Sequence, residues 1–146
     1  MINKIKLLDG SMSFPMEQQG YDLKNKLWTG SALINDPEVI KNIHKGYISS
    51  GADYVSTSTY QISFDRLKNM GYQSLEIKNI FQRSVDLVKE AILESKSERK
   101  IEIIGSFGPY ASFEPKASEY IGLYDSTDEE ILLSLIHISE PTRPGI

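Results

Sequence analysis

The residues able to do chemistry stand where apolar runs end. Ile5-Lys6-Leu7-Leu8 is followed at once by Asp9-Gly10, an anion and a residue that can turn sharply, at the point where a strand would leave the core. An unpaired carboxylate is costly inside a core. Asp9 is therefore a candidate to face a ligand at a strand rim, the alternative being an aspartate that caps the following turn. Ala52-Asp53-Tyr54-Val55 leads in the same way into Ser56-Thr57-Ser58-Thr59-Tyr60-Gln61, apolar at entry and rich in hydroxyls at exit. Ligand-facing strand ends and ordinary edge strands share that pattern. Ile101-Glu102-Ile103-Ile104 ends in Gly105-Ser106-Phe107-Gly108-Pro109-Tyr110, where two glycines would admit a ligand or a neighbouring strand. The loop is not a phosphate cradle, because it lacks the Gly-Lys-Ser/Thr ending and Pro109 removes an amide donor. Trp28, the single tryptophan, sits among polar neighbours and can be a core anchor or a pocket wall, packing being the commoner use. His44 has no acid or second histidine at metal-ligand spacing and reads as a partly buried structural residue.

Composition narrows the partners. The chain has 146 residues, with 16 basic and 20 acidic side chains and a formal net charge of -4. Neither sign forms a long block, which weighs against nucleic acid or an anionic membrane as partner. No apolar run approaches the roughly 20 residues of a membrane span, and the first residues lack the layout of a secretion signal, so a cytoplasmic location is expected. There is no cysteine. Disulfides and zinc sites of the thiolate kind are excluded for this chain.

The elements that must position these residues follow from periodicity. Ser11 to Gln19 reads as a short helix or irregular loop over the first strand mouth, ended by Gly20. Asn35-Asp36-Pro37-Glu38 starts a helix, with a capping side chain before a proline and an acid in the first turn. Val39, Ile40, Ile43, Tyr47 and Ile48 form its buried stripe and Gly51 closes it. A strand is expected through residues 52–61, a helical turn over 63–70, and a long amphipathic helix from Ser74 to about Glu94. Residues 95–100 read as a solvated connection before the third strand. Crossovers of this length imply parallel pairing and an α/β fold of βαβ units. The exits at Asp9, at residues 57–61 and at residues 105–110 would then share one C-terminal rim.

Several stretches, taken in order, resemble the homocysteine S-methyltransferases, relatives of betaine-homocysteine methyltransferase. They are Leu7-Leu8-Asp9-Gly10-Ser11-Met12, Leu27-Trp28-Thr29, Asp36-Pro37-Glu38-Val39-Ile40, His44-Lys45-Gly46-Tyr47, Gly51-Ala52-Asp53, Thr57-Ser58-Thr59-Tyr60-Gln61 and the run from Gly105 to Tyr110. Ser118-Glu119-Tyr120 and Gly122-Leu123-Tyr124 resemble the segment that follows the third strand. Ser13-Phe14-Pro15 departs from the family's commoner Gly/Ala-Thr-Glu, so the first loop differs there. The resemblance implies a (β/α)8 TIM barrel that moves a methyl group from S-methylmethionine or S-adenosylmethionine to the thiol of homocysteine, giving methionine. It also implies a zinc ion that holds the thiol as thiolate. Asp9, with Gly10, matches a rim carboxylate that holds the substrate ammonium. Thr57, Ser58 and Tyr60 match a rim beside the substrate, and Trp28 matches a wall of the donor pocket, where an aromatic face suits a sulfonium.

A whole barrel needs about 250 residues, and this chain supplies three strands of one. The family's zinc ligands are cysteines in Gly-x-Asn-Cys and Gly-Gly-Cys-Cys segments, which this sequence lacks, together with a later acidic substrate ligand. Residues 1–133 are expected to be a partial homocysteine-binding barrel domain. Residues 134–146 read as a non-native tail, so His137 is expected to carry no function. Two readings stand side by side: an N-terminal part of a methyltransferase, inactive alone, and a non-catalytic module that binds an amino acid or sulfonium. Oligomeric state is not legible.

Overall fold

A computed structural model describes residues 5–25 and 27–109 of the chain. The order is α1 (Ser13–Gln18), α2 (Gly30–Asn35), α3 (Pro37–Ser49), β1 (Tyr54–Ser56), α4 (Phe64–Asn69), α5 (Ser74–Ser95) and β2 (Glu102–Ile104). The expectations for Tyr110, Ser118 to Tyr124 and the tail with His137 lie outside the described residues.

The two long helices form where the sequence places them. α3 begins with Pro37 at its first position and Glu38 in its first turn, and it buries Ile40, Ile43, His44 and Ile48. The expected side-chain cap is absent. Asp36 occupies the N-cap position without a cap hydrogen bond, so the fixed φ of Pro37 and the acid after it mark this start. Gly51, at φ +114°, lets the chain reverse, and the Ala52 amide donates to the Tyr47 carbonyl at 3.0 Å. α5 opens with a reciprocal capping box between Gln73 and Glu76 and buries Ile77, Ser84, Leu87, Val88 and Ala91. Along one seam of α3 and α5, Lys41 bridges Glu38 at 2.9 Å and Glu94 at 3.0 Å, and Lys45 reaches Glu94 at 2.8 Å. α4 is capped by Ser63, whose hydroxyl accepts from the Arg66 amide at 3.1 Å.

The strands are parallel and short. β1 pairs with β2 in the register Tyr54↔Glu102, Val55↔Ile103 and Ser56↔Ile104. The expected first strand is reduced to a single parallel bridge, Leu8↔Tyr54. The reason is local: the Leu7 carbonyl takes both the Asp53 and the Tyr54 amides, at 2.8 and 3.0 Å, so the ladder advances only to the Asp9 amide on the Tyr54 carbonyl. β1 is the middle of the three segments, and its Val55 is fully buried with Ile48, Ala52, Val88 and Ala91. A second, larger cluster joins Met16, Leu27, Leu33, Ile40, Ile43, Ile62, Leu67, Ile77 and Leu87 under the helices. Leu7, Leu8, Ile103 and Ile104 remain exposed along the strands.

Four further readings are corrected. The strand over 52–61 stops at Ser56, and residues 58–61 form a turn closed by the Ile62 amide on the Thr59 carbonyl at 3.1 Å. Trp28 is not a core anchor, for it is 49% exposed. His44 is wholly buried rather than partly so. The connection over 95–100 is not simply solvated, because Arg99 folds back to donate to the carbonyls of Ile48, Gly51 and Ala52 and to Asp53.

Candidate functional site

Parallel strands that leave the sheet in one direction bring their exits to one end, and here that end is built around Asp9. The Asp9 side chain lies against the end of β1. Its Oδ2 accepts from the Ser56 amide at 2.9 Å and its Oδ1 from the Ser56 hydroxyl at 2.8 Å. Both oxygens are thus oriented by one residue, leaving a negative group at the rim with acceptor capacity to spare. Gly10 follows under the ring of Tyr47, reaching up from α3. A Cβ at residue 10 would lie 2.9 Å from the Tyr47 hydroxyl, and that hydroxyl donates to the Ser11 carbonyl at 2.6 Å. Burial, and then the negative charge of Asp9, hold the Tyr47 phenol above its ordinary pKa, so it remains a donor.

The hydroxyl-rich run after β1 is spent on holding loops. Thr59 donates to the Ser106 carbonyl at 2.6 Å, and the Ser106 amide donates to Thr57 Oγ1 at 2.9 Å. Each hydroxyl has one proton, so the Thr57 hydroxyl must donate to Thr59 across their 2.8 Å contact, closing a ring. Thr57 and Ser58 lie buried beneath the rim, while Tyr60 is 39% exposed on it. Ser58 is tied down from α5, its amide donating to the Ser84 hydroxyl at 3.0 Å. Replacing Ser84 with alanine strands that buried amide. The expected cost is about 1–3 kcal/mol in urea unfolding.

The turn that carries Trp28 meets the same loop. Gly30 packs so closely on Ile62 that a Cβ would lie 2.6 Å from its Cγ2, with Gln61 Cβ at 3.8 Å. Gly30 is therefore pressed against the turn that presents Tyr60. At the third exit, a Cβ on Gly105 would sit 3.0 Å from the Phe107 ring, so the close approach expected there is made by the loop's own aromatic. Among the described residues no cluster of His, Cys, Asp or Glu could hold a metal ion. No helix among them is long and apolar enough to cross a membrane.

Ser56, Tyr47 and Ser84 were not singled out by the sequence. Ser84 left a signal, a small polar residue on the apolar stripe of α5, whereas Tyr47 was hidden by fitting the stripe of α3.

The profile of the family described as homocysteine S-methyltransferase matches residues 6–137. Homocysteine S-methyltransferase YbgG of Bacillus subtilis is 32% identical over 133 residues, covering 86% of this chain and 42% of that protein. Selenocysteine Se-methyltransferase of Brassica oleracea is 29% identical over 133 residues, covering 81% of this chain and 38% of its own. The crystal structure of the homocysteine methyltransferase MmuM from Escherichia coli, in its metallated form, superposes with a TM-score of 0.74 at 27% identity. That match covers 94% of this chain and 52% of the crystallised one. The chain thus spans less than half the length of these curated relatives. With the profile covering nearly all of it, the chain belongs to the homocysteine S-methyltransferase family.

Proposed function

We propose that this chain forms the N-terminal part of a (β/α)8 barrel whose reaction is methyl transfer from a sulfonium, S-methylmethionine or S-adenosylmethionine, to homocysteine. Residues 1–133 are assigned to that barrel. The observation that carries the reading is the Asp9 carboxylate, aimed by the amide and hydroxyl of Ser56 at the common end of parallel strands. An anion so placed suits the ammonium of an amino acid, and the two acceptor oxygens retain lone pairs for it. Gly10 keeps the backbone close beneath Tyr47. Tyr60 and Trp28 supply exposed aromatic surface on adjoining loops, Trp28 suited to a sulfonium. Thr57 and Ser58 support that rim from below.

The chemistry is a displacement: the homocysteine sulfur, having lost its proton, bonds the donor methyl carbon. The old carbon–sulfur bond breaks, its electron pair stays on the donor sulfur, and a neutral thioether leaves. The zinc that the family resemblance implies would hold that sulfur as thiolate. The residues present do not fit that ion, since the chain has no cysteine and its described residues offer no ligand cluster. A cytoplasmic setting suits an enzyme of free amino acids.

Calorimetric titration of the purified chain with L-homocysteine tests the reading. Binding should weaken by roughly 10- to 100-fold in Asp9→Asn, the loss of one charge-assisted interaction. It should also fail for 4-mercaptobutanoate, which lacks the ammonium. Equal binding of the two thiols would overturn the role given to Asp9. The 146-residue chain alone is expected to form no methionine from homocysteine and S-methylmethionine, and formation of it would overturn that part.

A further inference from the structure

Two non-glycine residues among those described have a left-handed backbone, Lys96 and Trp28, each at φ +50°. Lys96 ends α5, a common place for that conformation. Trp28 lies in a turn, where the left-handed region costs a non-glycine residue about 1–2 kcal/mol. The side chain is half exposed, so core packing is not what fixes the turn. What holds the turn is a set of contacts around one peptide. The Trp28 carbonyl accepts from the Ser31 hydroxyl at 2.8 Å and from Asn25 Nδ2 at 3.3 Å. The Asn25 side-chain oxygen accepts the Leu27 amide at 2.9 Å, and its carbonyl accepts the Trp28 amide at 3.3 Å. Ser31 is buried, and its oxygen lies 3.4 Å from the Tyr21 hydroxyl.

We infer that Asn25 and Ser31 are positioning residues that hold Trp28 in a strained turn so that its indole stands open to a sulfonium cation. The inference rests on the donor-pocket role given to Trp28 above. Strain kept at an exposed aromatic, with a buried hydroxyl and an amide side chain committed to it, is the arrangement expected of a ligand wall.

Trp28 is the only tryptophan, so its fluorescence reports this turn alone. In the full chain, Asn25→Ala and Ser31→Ala should each shift the emission maximum and change acrylamide quenching, while Ser31→Thr restores the original signal. S-methyl-L-methionine should quench the original chain saturably and L-methionine should not. The sulfonium affinity should fall on the order of 3- to 30-fold in the two alanine variants, the range of a cation–π contact. Unfolding followed by circular dichroism adds an independent arm: Trp28→Gly should be at least as stable as Trp28→Ala, since glycine carries no left-handed penalty. Unchanged emission in both alanine variants, or a clearly less stable glycine variant, would overturn the clamp. An indole indifferent to S-methyl-L-methionine, with the other arms as expected, would leave the strained turn standing and overturn its role as a sulfonium wall.

Discussion

Between pH 6.5 and pH 4 the protein is expected to lose about 3 kcal/mol of stability that a His44→Leu variant keeps. His44 is fully buried on α3 and, among the described residues, neither ring nitrogen has a hydrogen-bond partner. Desolvation lowers its pKa from 6.5 to about 4. In that window the unfolded chain binds a proton on this histidine and the folded chain does not, so stability falls as pH falls. The contribution is whole above pH 6.5 and is lost progressively toward pH 4. Carboxylates titrate in the same range, and the difference between the original chain and the variant isolates His44. The leucine also replaces two unpartnered buried polar atoms, so the variant should be more stable at neutral pH by about 1–3 kcal/mol. Urea unfolding at several pH values measures both effects. Parallel pH profiles for the two proteins would show that His44 is not buried in its neutral form.

Arg99→Ala is expected to cost about 3 kcal/mol, a large effect for a residue that reaches the surface. Its guanidinium donates to the carbonyls of Ile48, Gly51 and Ala52, so one side chain satisfies the C-terminal end of α3 and the link into β1. The same group lies 3.3 Å from Asp53, whose other oxygen accepts the Leu7 amide. Arg99 thus connects the first strand segment, α3 and β1 at the edge opposite the Asp9 rim. A third of its side chain is exposed, which keeps the estimate below that of a fully buried ion pair. Arg99→Lys should recover less than half, because a single ammonium cannot span acceptors that a planar fork reaches together. Full recovery by lysine would show that charge alone holds this edge.

The helices were legible because their information is local. Pro37, Glu38 and the three- and four-residue steps of Ile40, Ile43 and Tyr47 specify α3 within its own span, and the same periodicity specifies α5. The absence of cysteine, the acidic balance and the ordered stretches that carry the family resemblance also came from the chain itself. Asp9 was legible as a rim carboxylate because its chemistry is at odds with a buried strand end. What holds it there was not. Ser56 binds Asp9 across 47 positions, Ser106 meets Thr57 across 49, and Asp53 takes the Leu7 amide across 46. No periodicity encodes such pairs, since they depend on how parallel strands are brought together by the helices between them. Tertiary structure alone decided that Thr57 is spent on a loop while Tyr60 is exposed, that His44 lies fully out of water, and that Trp28 is turned outward on a strained backbone.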